Sequence, residues 1–249
     1  MGVASHVTSG VSHVSSAMAD TDLPTAFAAP PSARPWVAPF AVFLLWMLVW
    51  PLVPLDELRS ELLRFGLLAV VLLTVSRGIV ASLRVTRWLS SITVGLLVAG
   101  LWLLPGVVWP GYREQSLFQN GITGETVSTL PDSWLASPLL LSLRIARAVL
   151  LVPLVEEIFW RGFLPRWVLR NNWDAVPMGS YNTVAFVATA LLFAAQHGPY
   201  WDVALMCGLI FNWYMWTTRS LGDLVLAHVA TNAALAAYAV ATKQYVFWM

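Results

Sequence analysis

Charge is what this chain is short of. Only 11% of its 249 residues are Asp, Glu, Lys or Arg, while 58% are hydrophobic. Soluble domains carry about 25% charged residues, so the composition is that of a polytopic membrane protein. The net charge of +1 lacks the basic excess of a nucleic-acid binder, and no such partner is expected. One cysteine, Cys207, excludes an internal disulfide framework and a multi-cysteine metal site. It lies in an apolar run and reads as a small packing residue. The first 35 residues lack the apolar core that a signal peptide needs, so no cleavable signal is expected. His6 stands where a myristoylation motif wants Ser or Thr. Residues 1–35, with His6 and His13, read as a flexible, metal-free tail.

The rest of the chain, 36–249, is rich in long apolar runs, which sets an all-α fold: a polytopic membrane bundle of about seven transmembrane helices. The runs cover 36–54, 62–82, 88–109, 138–168, 181–197, 201–218 and 224–242. The fourth is too long for one simple crossing. A crossing near 145–166 puts Glu156 near its middle and leaves the outer arginines, among them Arg144, Arg147 and Arg166, to snorkel to the interface. Arg144 and Arg147 share a face, which also suits a lipid phosphate or a substrate carboxylate. Trp160, Trp167, Trp173, Trp201, Trp213 and Trp216 read as interfacial belt residues. Residues 112–136 form the longest internal loop, with a turn at Asn120–Gly121 and a short surface helix expected near Ser116–Asn120. Ser220 to Asp223 reads as a tight turn. Arg34, Arg84, Arg87, Arg166, Arg170 and Arg219 fall on one side of a seven-span arrangement, which puts the amino terminus in the cytoplasm.

Three short pieces inside the apolar runs carry chemistry. The first is Glu156-Glu157 with Arg161. Charged groups at the bilayer centre cost roughly 2.5–3.5 kcal/mol each by insertion scales, so they rarely sit there without a task or a partner. Glu157 and Arg161 are four apart on a helix and can pair, while Glu156 points about 100° away and is left without that partner. The second piece ends at His197, after Phe193-Ala194-Ala195-Gln196. The third is His228 with Asn232, again four apart on one face. Gly198-Pro199 breaks the helix after His197 and allows a buried connection, so the 198–201 turn is expected to dip into the protein.

Together these pieces resemble the CAAX protease and bacteriocin-processing family of intramembrane proteases. That family's pattern is a Glu-Glu pair with Arg four residues on, then Phe-x-x-x-His, then His-x-x-x-Asn. Here those are Glu156-Glu157 with Arg161, Phe193 with His197, and His228 with Asn232, all within residues 138–242. Phe159 to Leu164 also looks like the CAAX-protease-related branch that accompanies exosortase systems. The resemblance implies an endopeptidase of the bacterial inner membrane that cuts a membrane-anchored protein or peptide. It implies catalytic roles for Glu156, His197, His228 and Asn232, with Glu157 and Arg161 in support. Glu156 with His197 would activate a water, and His228 with Asn232 would stabilise the oxyanion. No cofactor is required by this scheme. A zinc version would use Glu156, His197 and His228, a two-His, one-Glu set with an open fourth position.

Blander readings compete. Taken singly, His197 suits a helix-end anchor and His228–Asn232 suits interhelical glue worth about 0.6 kcal/mol. The chain would then be a non-catalytic membrane scaffold, or a partner in protein sorting or bacteriocin immunity. The joint occurrence of all three pieces favours the enzyme.

Overall fold

The computed structural model describes residues 1–2, 32–49, 52–126, 132–135 and 137–247. The expected tail, including His6 and His13, lies almost wholly outside them. Among the described residues there is no strand, only an isolated bridge between Asn120 and Gly124. The helices are α1 Arg34–Val49, α2 Glu57–Thr74, α3 Arg77–Ser82, α4 Trp88–Val108, α5 Asp132–Leu135, α6 Pro138–Leu169, α7 Thr183–Ala195, α8 Trp201–Thr218 and α9 Leu221–Thr242. Helical segments stand where each of the apolar runs was read. Among the described residues α4, α6 and α9 are long and apolar enough to cross a bilayer, and α1 and α7 are shorter apolar helices. The chain is an all-α polytopic membrane bundle.

The helix starts follow from the sequence. Asp56, Ser137, Asn182 and Ser220 each accept a hydrogen bond from a first-turn backbone N–H, which satisfies one of the orphan donors there. Ser220 therefore opens α9, and Gly222-Asp223 belongs to its first turn. The tight turn expected at 220–223 is a helix cap instead. Asp223 is fully buried and accepts from the backbone N–H of Arg87 at 3.0 Å and the hydroxyl of Thr86 at 3.0 Å. It ties the entry of α4 to the entry of α9.

α4 and α9 pack closely because Gly95 has no side chain. A Cβ there would lie 2.7 Å from the Cβ of Ala230. The Thr231 hydroxyl uses the closeness to donate to the Gly95 carbonyl at 2.9 Å. At the other side of the bundle Phe40 of α1 stacks on Phe159 of α6 at 4.3 Å, and Trp160 meets Phe193 edge-on at 6.0 Å.

α6 runs for 32 residues without a break, roughly 48 Å at the helical rise, so it must tilt or overhang the hydrocarbon layer. It contains two π-helical turns, Arg147–Leu151 and Ile158–Phe163. Each is followed within two residues by a proline, Pro153 or Pro165. A proline ring has no N–H and clashes with the carbonyl four residues back, so widening the helix ahead of it relieves both problems.

Several surface assignments change. Arg166 does not snorkel. It is buried between Trp36 and Trp173, and its Nε donates to the Gly162 carbonyl at 2.5 Å. Arg144 is likewise buried, and Arg147 pairs with the fully buried Glu61 at 2.5 Å. Trp160 and Trp173 are core residues, because their neighbours are aromatic side chains of α1, α6 and α7. Trp167, Trp213 and Trp216 remain exposed, as belt residues are. The loop after α4 has a 3-10 turn at Tyr112–Glu114, and no helix at 116–120. Its Arg113 is buried, stacks on Tyr200 and binds Asp202 and the Pro199 carbonyl. This loop covers the Gly198–Tyr200 turn, where Tyr200 is buried. The turn thus dips inward, as expected. Gly198 has φ of +51° there, and a Cβ would meet the Thr123 carbonyl oxygen at 2.7 Å.

Candidate active site

Glu156 and Glu157 sit in the α-helical stretch between the two π-turns of α6, and both are buried. Glu157 is the hub. Its carboxylate accepts from Arg161 Nη1 at 2.9 Å and from His228 Nδ1 at 2.7 Å. The expected Glu157–Arg161 pair is there, and His228 of α9 is a second partner that the one-helix argument missed. Arg161 also donates from Nε to Asn212 Oδ1 at 3.0 Å, and Asn212 donates to the Phe186 carbonyl at 2.8 Å. A buried ion pair holds only when its remaining hydrogen-bonding groups are satisfied. Here α6, α7, α8 and α9 all contribute, although Arg161 Nη2 has no hydrogen-bond partner among the described residues and the guanidinium lies over the Phe193 ring at 4.4 Å.

Glu156 faces the other way, as the 100° rotation requires, but it is not without partners. Its Oε1 accepts from Gln196 Nε2 at 2.7 Å, and its Oε2 lies 3.8 Å from His228 Nε2. Because the Glu157 carboxylate fixes Nδ1 of His228 as a donor, the Nε2 edge is the one turned to Glu156. His197 has its Nδ1 on the Phe193 carbonyl at 2.7 Å. A carbonyl only accepts, so Nδ1 carries the proton and the neutral ring keeps its lone pair on Nε2. Trp102 holds the same ring edge-on at 5.6 Å.

Asn232 has an unexpected partner. Its Nδ2 donates to the carbonyl of Ala148 at 2.8 Å. That carbonyl lies in the first π-turn. The Val152 N–H is taken by Arg147, and the next backbone nitrogen is that of Pro153, which carries no hydrogen. The helix cannot satisfy Ala148, so a side chain from α9 does.

Glu156, Gln196, His197, His228 and Asn232 line one cavity of about 510 Å³, together with Cys207, Trp102 and the apolar face of α1. Among the described residues no group of three His, Cys, Asp or Glu side chains is placed to hold a metal ion. The zinc set Glu156, His197 and His228 shares the cavity without forming a coordination shell. Gln196 and Asn212 carried no assigned role in the sequence. Their signal was available, since each is a polar side chain in an apolar span, where such residues need partners.

The fold and site define a polytopic helical membrane protein with a buried Glu/His cluster facing a cavity. Residues 138–234 match the family described as type II CAAX prenyl endopeptidase Rce1-like. The matched stretch contains every motif residue, so the segment that carries Glu156, His197, His228 and Asn232 is similar to membrane peptidases of the CAAX-protease type. The match is to that family and goes no narrower, so it does not reach the exosortase-associated branch. No curated protein and no solved structure matches the chain.

Proposed function

We propose that the protein is an intramembrane endopeptidase that hydrolyses a peptide bond of a membrane-anchored substrate with a water activated by Glu156 and His197. The observation that carries this reading is the facing of Glu156 Oε2 and His228 Nε2 across 3.8 Å in a cavity that His197 also lines. That span is too long for a direct hydrogen bond and suits one shared oxygen, from water or from a scissile carbonyl.

In this mechanism Glu156 takes a proton from the water as its oxygen attacks the carbonyl carbon. The Nε2 lone pair of His197 orients the water. His228, held between the carboxylates of Glu157 and Glu156, turns its Nε2 edge toward the developing oxyanion. Collapse of the tetrahedral intermediate breaks the C–N bond, and Glu156 returns its proton to the leaving amine. Asn232 has a second Nδ2 hydrogen, which is the further oxyanion donor. Losing one such donor typically costs about 2.7–4 kcal/mol in the barrier. Glu157 and Arg161 are positioning residues, acting through His228. The reading also places the chain in a bacterial inner membrane with its amino terminus in the cytoplasm, supported by the basic residues Arg34, Arg84, Arg87 and Arg219.

The test is a proteoliposome cleavage assay with membrane-anchored peptides, comparing wild type, Glu156→Gln and His197→Ala, each with and without a chelator. Cleavage by wild type alone, unaffected by the chelator, is the expected result. A Glu156→Gln protein that works as well as wild type sinks the enzyme in favour of a scaffold. Chelator sensitivity sinks the metal-free mechanism alone.

A further inference from the structure

We infer that the end of the cavity remote from Glu156 binds the phosphate of an anionic phospholipid, with an acyl chain lying along α1 and α2. This goes beyond the peptidase reading and does not depend on it. Arg64, Arg144 and Arg147 line that end, and among the described residues Glu156 is the one acidic side chain that lines the cavity. Along α6, Arg147 and Arg144 precede Glu156 by about 14 and 18 Å at the helical rise. Behind them the fully buried Glu61 accepts from Arg147 Nε at 2.5 Å and Nη2 at 3.3 Å, and lies 3.9 Å from Arg64 Nη1. Both bonds of Arg147 to Glu61 use Nε and Nη2, which leaves Nη1 for a second anion. Planar guanidinium forks suit the oxygens of a phosphate.

The position selects a lipid. The end of α1 at Val49 leads within a few residues into the start of α2 at Glu57, and the Glu61–Arg147 pair sets the early turns of α2 beside those of α6. The three arginines sit within the first three turns of α2 and α6, the end of these helices that a lipid headgroup would reach first. Val42, Phe43, Met47 and Leu67 carry the cavity wall onward as an apolar surface. On the same helix Leu45 and Leu48 are 59% and 75% exposed, so the wall continues into the lipid-facing side of α1. Cationic groups beside an apolar slot complement a lipid with an anionic head.

The test is native mass spectrometry of the full chain released from nanodiscs containing equal phosphatidylglycerol and phosphatidylcholine. Wild type should retain phosphatidylglycerol preferentially. Loss of the Arg144 guanidinium, or of the Arg147 guanidinium, should each cut that preference by about fivefold, at the usual strength of a basic residue near an anionic surface. Arg147→Gln alone strands Glu61, so the variants are Arg144→Gln and the paired Glu61→Gln/Arg147→Gln, which keeps the interior neutral. Glu61→Gln alone should move the preference the opposite way and raise it. No preference in wild type overturns the proposal, as does a preference that all variants share. Displacement of the lipid by a short peptide with a free carboxy terminus, and not by its amide, would assign the arginines to a peptide carboxylate instead and overturn it too. None of these readouts needs peptidase activity, so failure here is separable from failure of the enzyme reading.

Discussion

Replacing Asn232 with Ala should do two separable things, and a second substitution tells them apart. The Asn232 amide donates to Ala148, whose carbonyl the helix cannot satisfy because Pro153 has no N–H. Asn232→Ala leaves that acceptor buried without a partner, at a cost of about 1–3 kcal/mol. Pro153→Ala restores a backbone N–H at the position that a π-turn directs to Ala148, since Val152 already bonds Arg147 in that register. The double variant Asn232→Ala/Pro153→Ala should therefore recover stability, with a coupling of about 1 kcal/mol. Turnover should behave differently. If the second Nδ2 hydrogen serves the oxyanion, kcat falls by about two to three orders of magnitude in Asn232→Ala and stays low in the double variant. The assays are thermal unfolding in detergent and single-turnover cleavage in proteoliposomes. Failure of Pro153→Ala to recover any stability lost in Asn232→Ala would refute the pairing with Ala148. Joint recovery of stability and turnover would refute the oxyanion role and leave Asn232 a positioning residue.

Other outcomes follow from the same contacts. Glu157→Gln weakens the acceptor shared by Arg161 and His228, both buried; breaking such a pair costs about 3–5 kcal/mol, readable as a lower melting temperature and poorer yield. Gly95→Ala forces α9 away from α4, and overpacking of this kind costs about 1–3 kcal/mol, with cleavage falling in step with stability. Asp223→Ala removes the acceptor of the Thr86 and Arg87 N–H groups, and faster amide exchange at residues 86 and 87 than at the middle of α4 checks it. His197→Ala should abolish cleavage while the melting temperature stays close to wild type, because the ring bonds only the carbonyl of its own helix end.

Apolar runs marked where helices form, because lipid leaves the backbone no option but internal hydrogen bonds, while among the described residues three of the helices are long and apolar enough to cross a bilayer. Side-chain periodicity fixed the Glu157–Arg161 pair, which needs only one helix. Other features depended on neighbours in space. Arg166 looked like a snorkelling residue until Trp36 and Trp173 closed over it. Arg147 looked the same until α2 brought Glu61 against it. Asp223 looked like a turn residue until the α4 entry supplied its donors.

The sequence by itself determined which residues hold charge within the apolar spans, because a buried ion is costly wherever the chain puts it. Only the tertiary structure decided who neutralises whom. Helix spacing tells which side chains share a face, but the partner of a face is set by packing. That is why Glu157 proved to serve His228 as well as Arg161, why Glu156 faced Gln196, and why Asn232 answered a carbonyl that Pro153 and a widened helix had left open.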